Sequence, residues 1–192
     1  MNSEHEKLLT RSNEPRARLA WGAPRAMVLV ATLGFLAVGC GDDATGPGSL
    51  LLGSFSAQVS GAVDASFSGM AIFGSADDFL GTGEEVFVLV LEDDTGLREI
   101  DLLKTTAGRP GPGTFTIGEY LASPLQGEFI EDGPSETRFF HTGTGTLTIT
   151  SSSTQSLEGT LSFTANEEFG SGVVQVQATF NAMCIPGAWS CD

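Results

Sequence analysis

An all-β fold, an antiparallel β-sandwich of about nine strands, is what three features of this chain predict. Apolar and polar residues alternate with period two over most of the stretch after residue 40, the pattern of strands buried on one face. Gly supplies 22 of the residues from Cys40 onward, about twice the usual share of roughly 7%. With Pro, Asp and Asn it cuts the alternating runs into short segments. No run after Cys40 sustains a helical period for about ten residues, so crossover helices are absent and the strands should pair antiparallel. An up-and-down β-barrel is the alternative, because strand count does not separate the two architectures. The antibody-type Cys, Trp, Cys spacing is absent, which leaves a true immunoglobulin domain unsupported.

Taken in order, the first run sets Phe55, Ala57 and Val59 against Ser56, Gln58 and Ser60. Strands are expected next over 65–73, 85–91, 97–104, 113–117 and 136–141, nearly all bounded by turn-forming residues. Leu147 and Ile149 then alternate with Thr146, Thr148 and Thr150; a strand over 155–165 follows; Val174, Val176, Ala178 and Phe180 alternate with Gln175, Gln177 and Thr179. Asp93-Asp94-Thr95-Gly96 has the chemistry of a hairpin turn, and residues 151–154 join two of the last three strands, which should form a meander. A chain of this size buries about 68–70% of its unfolded surface, and the twelve Phe after Cys40 are the obvious filling. One domain over 53–192 suffices. The run Val86, Phe87, Val88, Leu89, Val90 and Leu91 is apolar on both faces, which reads as a central strand covered by a loop or by residues 77–80, or as an exposed strip that docks a partner or a second copy.

Charge divides the chain at Cys40. The head before it carries five basic residues against three acidic ones, whereas from Cys40 onward Arg98, Lys104, Arg109 and Arg138 face 21 acids. So acidic a domain repels phosphate, which excludes nucleic acid as a partner, and it favours cationic ones. After the basic head, residues 27–38 are uncharged and span roughly 18 Å as a helix, short of the roughly 30 Å of a bilayer core. Basic head, short apolar helix and small residues before a Cys describe a secretory signal peptide over 1–39.

The segment Leu36-Ala37-Val38-Gly39-Cys40, with the Asp-, Gly- and Pro-rich stretch after it, resembles the lipobox of bacterial lipoproteins. Ala37 stands where Leu is commonest in that family, with Leu36 one place earlier. The resemblance implies cleavage between Gly39 and Cys40, acylation of Cys40, a flexible tether over 40–52, and attachment to the membrane of the cell envelope by the N-terminal lipid. Gly41 rather than Asp after the Cys implies the outer membrane over the inner one in a cell that has both. The stretches 112–118, 145–150 and 159–165, with their Gly-Thr-apolar alternation, are similar to segments of small all-β domains of unknown function in bacterial lipoproteins, which implies a fold type and no activity.

Chemistry-bearing residues are few. His141 is the single His after Cys40, and neither Gly53-Ser54-Phe55-Ser56 nor Gly170-Ser171-Gly172-Val173 makes a nucleophile elbow, so no catalytic residue is assigned. His and Cys are too scarce for a zinc site. Acid pairs at turns, such as Asp77-Asp78, Glu92-Asp93 and Glu167-Glu168, are the hard oxygen ligands that Ca²⁺ takes, which keeps a calcium-stabilised adhesion module as an alternative. The same acids also serve as plain solvation of turns, and no cofactor is otherwise implied. With Cys40 acylated, Cys184 and Cys191 remain as a pair in an oxidising compartment, with Ile185-Pro186-Gly187-Ala188 turning between them, so a disulfide is expected over two free thiols. The function expected is a membrane-anchored, non-enzymatic β domain that binds or organises something in the envelope, with a hydrolase as the remoter alternative.

Overall fold

The computed structural model describes residues 52–77, 85–106, 108–185, 187 and 189–192. The expected signal peptide, Gly39, Cys40 and the tether apart from Leu52 lie outside the described residues. Nine strands follow one another: β1 (Gly53–Gly61), β2 (Ala65–Asp77), β3 (Glu85–Asp93), β4 (Arg98–Lys104), β5 (Gly113–Ile117), β6 (Leu125–Asp132), β7 (Thr137–Ser152), β8 (Ser156–Glu167) and β9 (Val173–Cys184).

Eight of them form a closed antiparallel barrel in the order β1-β2-β3-β4-β6-β7-β8-β9, and β5 is added beside the far half of β7. The ring closes where the first strand meets the last, through a register running from Ser54↔Asn181 to Gly61↔Val174. This corrects the β-sandwich in favour of the barrel. The long strands β7 and β8 carry register shifts at Thr142/Thr144 and Ile149/Ser151. Bulges of that kind bend a twisted sheet enough to bring its two edges together.

Two further corrections are local. Strand β6 was not expected, because Gly127 and the Glu128, Glu131 and Asp132 carboxylates interrupt its apolar pattern. Gly127 leaves room for its neighbour: a Cβ would lie 2.8 Å from Leu102 Cδ2 across the strand pair, so that side chain would have to shift. In turn, the separate strands expected over 136–141 and 146–150 are one strand, β7. Gly143 and Gly145 look like a break in sequence, but the register shift beside them lets the strand continue, and Gly145 admits the backbone of β8 so closely that a Cβ would meet Phe163 Cβ at 2.4 Å. The meander β7-β8-β9 and the β3–β4 hairpin form as expected. At that hairpin the Asp93 carboxylate accepts from the Thr95 and Leu97 amides at 3.1 and 2.9 Å, and Gly96 takes the positive φ that closes the turn.

Inward side chains fill the barrel. Phe129 packs on Phe140 with ring centroids 5.6 Å apart, Phe73 on Phe87 at 6.2 Å, and Leu89, Leu102, Leu147 and Val176 are fully buried among them. Phe169 departs from the expected role of filling: it sits on the β8–β9 turn, 90% exposed. Phe87, Leu89 and Leu91 point into this core, while Val86 and Val88 are buried on the other face of β3 with Leu103, beside the partly buried Val90. The docking strip considered for Val86, Phe87, Val88, Leu89, Val90 and Leu91 therefore gives way to the reading of a strand buried on both faces.

Each end of the barrel is closed differently. At one end, inward-facing charges alternate in sign around the wall: Asp93, Arg98, Glu131, Arg138 and Glu167. Arg98 bonds Glu131 at 3.3 Å and lies 3.8 Å from Asp93; Arg138 reaches Glu131 at 3.6 Å and Glu167 at 2.7 Å. Their guanidinium groups also lie over Phe67 and Phe140, at 5.8 and 4.8 Å from the ring centroids, so the layer seals the aromatic core from water. At the other end the C-terminal segment is tied back. Ser190 exchanges backbone hydrogen bonds with Ser75, Arg109 donates to the Cys191 carbonyl at 2.5 Å and to Ser152 Oγ at 2.8 Å, and Cys184 is bonded to Cys191 with their Cα atoms 5.8 Å apart.

Candidate functional site

With the interior filled, the surface chemistry lies on the outer wall, and the register decides what stands next to what. Strands β1 and β9, which close the barrel, pair Ser56 with Thr179 and Gln58 with Gln177. Thr160 and Ser162 on β8 continue those two rows, Thr148 and Thr146 on β7 extend them, and Ser68 and Ser66 on β2 complete them. Two rungs of hydroxyl and amide groups thus cross five strands, about 4.8 Å apart between strands and about 6.7 Å apart along them. None of their residues is charged.

This wall is hollowed. A barrel wall is a hyperboloid, waisted midway along its axis, so its outside is concave along the strands. A hollow of about 690 Å³ lies over both rungs. It adjoins one of about 580 Å³ toward Ser54 and Asn181 and one of about 390 Å³ toward Ser60 and Gln175. Together they make a trough along β1 and β9, with Glu158 at one end and Asp64 at the other. The side chains of Ser56, Gln58, Thr160, Ser162, Gln177 and Thr179 make no hydrogen bond to another described residue, so their donors and acceptors face outward unengaged.

The opposite wall is its electrostatic converse. In the ring order β4 and β6 stand across from β9 and β1, and their outward rows hold Glu99, Asp101 and Glu128, flanked by Glu92 on β3 and His141 on β7. His141 Nε2 is 3.0 Å from Glu128 Oε1. The loop between β5 and β6 is held to the wall by the Tyr120 amide on the Thr142 carbonyl and the Leu121 amide on Gln126 Oε1, and it lays the Tyr120 ring flat on His141 at 4.0 Å between centroids. The hydrogen bond to Glu128 raises the His141 pKa above its usual value, against the opposing effect of burial. Burial, then the Glu128, Asp101 and Glu168 charges, push the Tyr120 hydroxyl up to about 12. Asp101 is the most perturbed: burial first, then Glu99, Glu128 and Glu92, drive its carboxyl well above the usual range, and its Oδ1 is buried without a hydrogen-bond partner.

As chemistry, among the described residues this wall offers one imidazole–carboxylate pair and no nucleophile bonded to it: His141 Nε2 is engaged by Glu128, and the ring face is covered by Tyr120. Among the described residues no three His, Cys, Asp or Glu side chains converge as metal ligands. Consecutive acids point to opposite faces, as at Glu92, outward, and Asp93, inward. All four cations of the domain serve structure: Arg98 and Arg138 in the end layer, Arg109 on the C-terminal segment, and Lys104 Nζ on the Thr106 and Gly108 carbonyls at 3.0 and 3.2 Å. Of the residues singled out in the sequence, Cys184 and Cys191 come together, while the trough residues went unremarked as a site although their alternation was legible. Compared with protein-family models, curated proteins and solved structures, the chain matches none of them.

Proposed function

We propose that this protein is a lipid-anchored, non-enzymatic binding module of the bacterial cell envelope, tethered through Cys40 and working through the outside of its barrel. The observation that carries the binding part is the filled, end-sealed interior beside an unengaged, hollowed outer wall. A carrier of small molecules keeps its lumen open, and a membrane-spanning barrel turns an apolar band outward. Here Phe and Leu occupy the lumen, and Ser, Thr and Gln predominate on the outward rows of β1, β8 and β9. The lipid part rests on residues 36–40 and the tether that follows. Two or more acyl chains, each contributing about 0.8 kcal/mol per buried methylene, give stable attachment. The test is metabolic labelling with palmitate in a bacterial host. Wild-type chain should take up label and fractionate with membranes, and Cys40→Ser should do neither; label retained by Cys40→Ser, or absent from the wild type, overturns the anchor.

A further inference from the structure

We infer that the trough over β1 and β9 binds a neutral glycan, an uncharged polysaccharide chain lying along the strands. The inference deepens the binding-module reading and depends on its claim that the outer wall is the working surface; it does not depend on the lipid. Three observations select the ligand class.

The first is charge. From Cys40 onward the chain has 21 acids, yet the two rungs through Ser56 and Gln58 carry none of them, while Glu92, Glu99, Asp101 and Glu128 stand together on or beside the wall across the barrel. A cationic polymer would be drawn to that acidic wall, and an anionic one would be repelled by Glu158 and Asp64 at the ends of the trough as well as by the molecule as a whole. What remains is an uncharged ligand.

The second is the kind of group presented. Ser and Thr hydroxyls each donate once and accept twice, and Gln amides do both at separate atoms. Arrays of groups that donate and accept at once match the hydroxyls of a sugar chain. They offer nothing to a lipid tail. Protein interfaces are anchored by Trp, Tyr and Arg, and among the described residues none of these lines the trough.

The third is shape. From Ser54 to Ser60 along β1 the trough extends roughly 20 Å at about 3.3 Å per residue, room for several sugar units in a row. Along its floor the side chains of Ser56, Gln58, Thr160, Ser162, Gln177 and Thr179 are not spent on hydrogen bonds to other described residues. With Phe55, Phe67 and Phe180 turned to the core and no Trp or Tyr among its described lining, the site gains affinity by repetition of modest contacts along the chain, so polymers bind better than monosaccharides.

The experiment is affinity electrophoresis of the full chain in mild detergent through gels holding a neutral polysaccharide (dextran, a β-glucan, a mannan or a galactan), or an anionic or cationic one (alginate, chitosan). At least one neutral glycan should retard the protein, and alginate and chitosan should not. Gln58→Glu combined with Gln177→Glu, both fully outward, should weaken retardation at least tenfold with an unchanged melting temperature, while Glu99→Gln on the opposite wall should leave it as in the wild type. An NMR titration with an oligosaccharide of the retarding glycan should move amides of β8, β9 and β1. Retardation by none of the neutral glycans, equal retardation by charged ones, wild-type binding by the folded double variant, or shifts centred on β4 and β6 would each overturn the inference. Cys40→Ser should still bind; loss of palmitate label in that variant concerns the anchor alone, so the two readings fail separately.

Discussion

At the scale of single residues, Asp101 is where the fold tolerates an unfavourable group. Its carboxyl is packed beside Glu99, Glu128 and Glu92, with Oδ1 unpartnered, and its pKa is raised mainly by burial. A folded-state pKa above the unfolded value means that the folded chain holds the proton more tightly, so stability declines as pH rises from the unfolded value of about 3.9 up to the folded one. His141 acts in the same direction at higher pH: its raised pKa, due first to Glu128, gives stabilisation that is complete below about 6.5 and is lost as pH climbs through the folded value. Asp101→Asn removes the first contribution and the repulsion with it. The expected outcome in melts at pH 5 and pH 8 is a gain of about 1 kcal/mol, or roughly 2–4 °C, at pH 8 and a flatter dependence on pH between the two. A lower melting point at pH 8 would contradict the assignment. The single His was legible in the sequence, but Tyr120 stacked on it was not, because 21 positions and a loop held by Thr142 and Gln126 separate the two before folding.

Elements follow from local pattern more faithfully than from their number. The strands β1, β8 and β9 alternate cleanly and were legible at once, since each wets one face and buries the other. Strand β6 was hidden by Gly127, which faces the Leu102 and Thr142 side chains of neighbouring strands, and β7 appeared broken by Gly143 and Gly145, of which Gly145 lets β8 approach. At the C-terminus a short element exists only through its ties. Trp189 lies over Gly74 of β2, where a Cβ would come within 2.5 Å of the Trp189 Cβ, and the Cys184–Cys191 bond closes the loop that brings it there. Closing about eight residues stabilises by about 2.5 kcal/mol in the chain-entropy account. Cys184→Ser with Cys191→Ser should therefore lower the melting point by several degrees, shift Trp189 emission to longer wavelength and free the Ser75 and Ser190 amides to exchange, with the barrel intact. Unchanged emission and unchanged exchange at both amides would show that the hydrogen bonds of Arg109 and Ser75 suffice without the bridge.

Across the whole molecule, closure is the decisive property. Strand β1 is bonded to β2 on one side and to β9 on the other, so it has no free edge, whereas β5 is paired with β7 alone. Amide hydrogen exchange distinguishes this from a sandwich ending in β1: amides of Ser54 to Gly61 should be protected to the level of the β8–β9 pair, and alternate amides of β5 should exchange far faster. Rapid exchange along β1 would reopen the barrel. The same closure places the charge-free rungs of β8, β9 and β1 side by side and sets the acids of β4 and β6 across from them. It also aligns Asp93, Arg98, Glu131, Arg138 and Glu167 as one layer over the Phe core.

The amino-acid sequence by itself determined the all-β class, the faces of the cleanest strands, the Asp93 turn and the terminal meander, because each depends on residues within a few positions of one another. Tertiary structure alone decided that the sheet closes into a barrel, that Val86 and Val88 are covered, and that Ser56, Thr179 and Thr160 share a rung. Period two tells a side chain which face it takes; it leaves open which strand comes to lie beside it. That choice is made by pairings such as Phe55↔Phe180, between the two ends of the domain, where long-range register and the twist of the sheet act together.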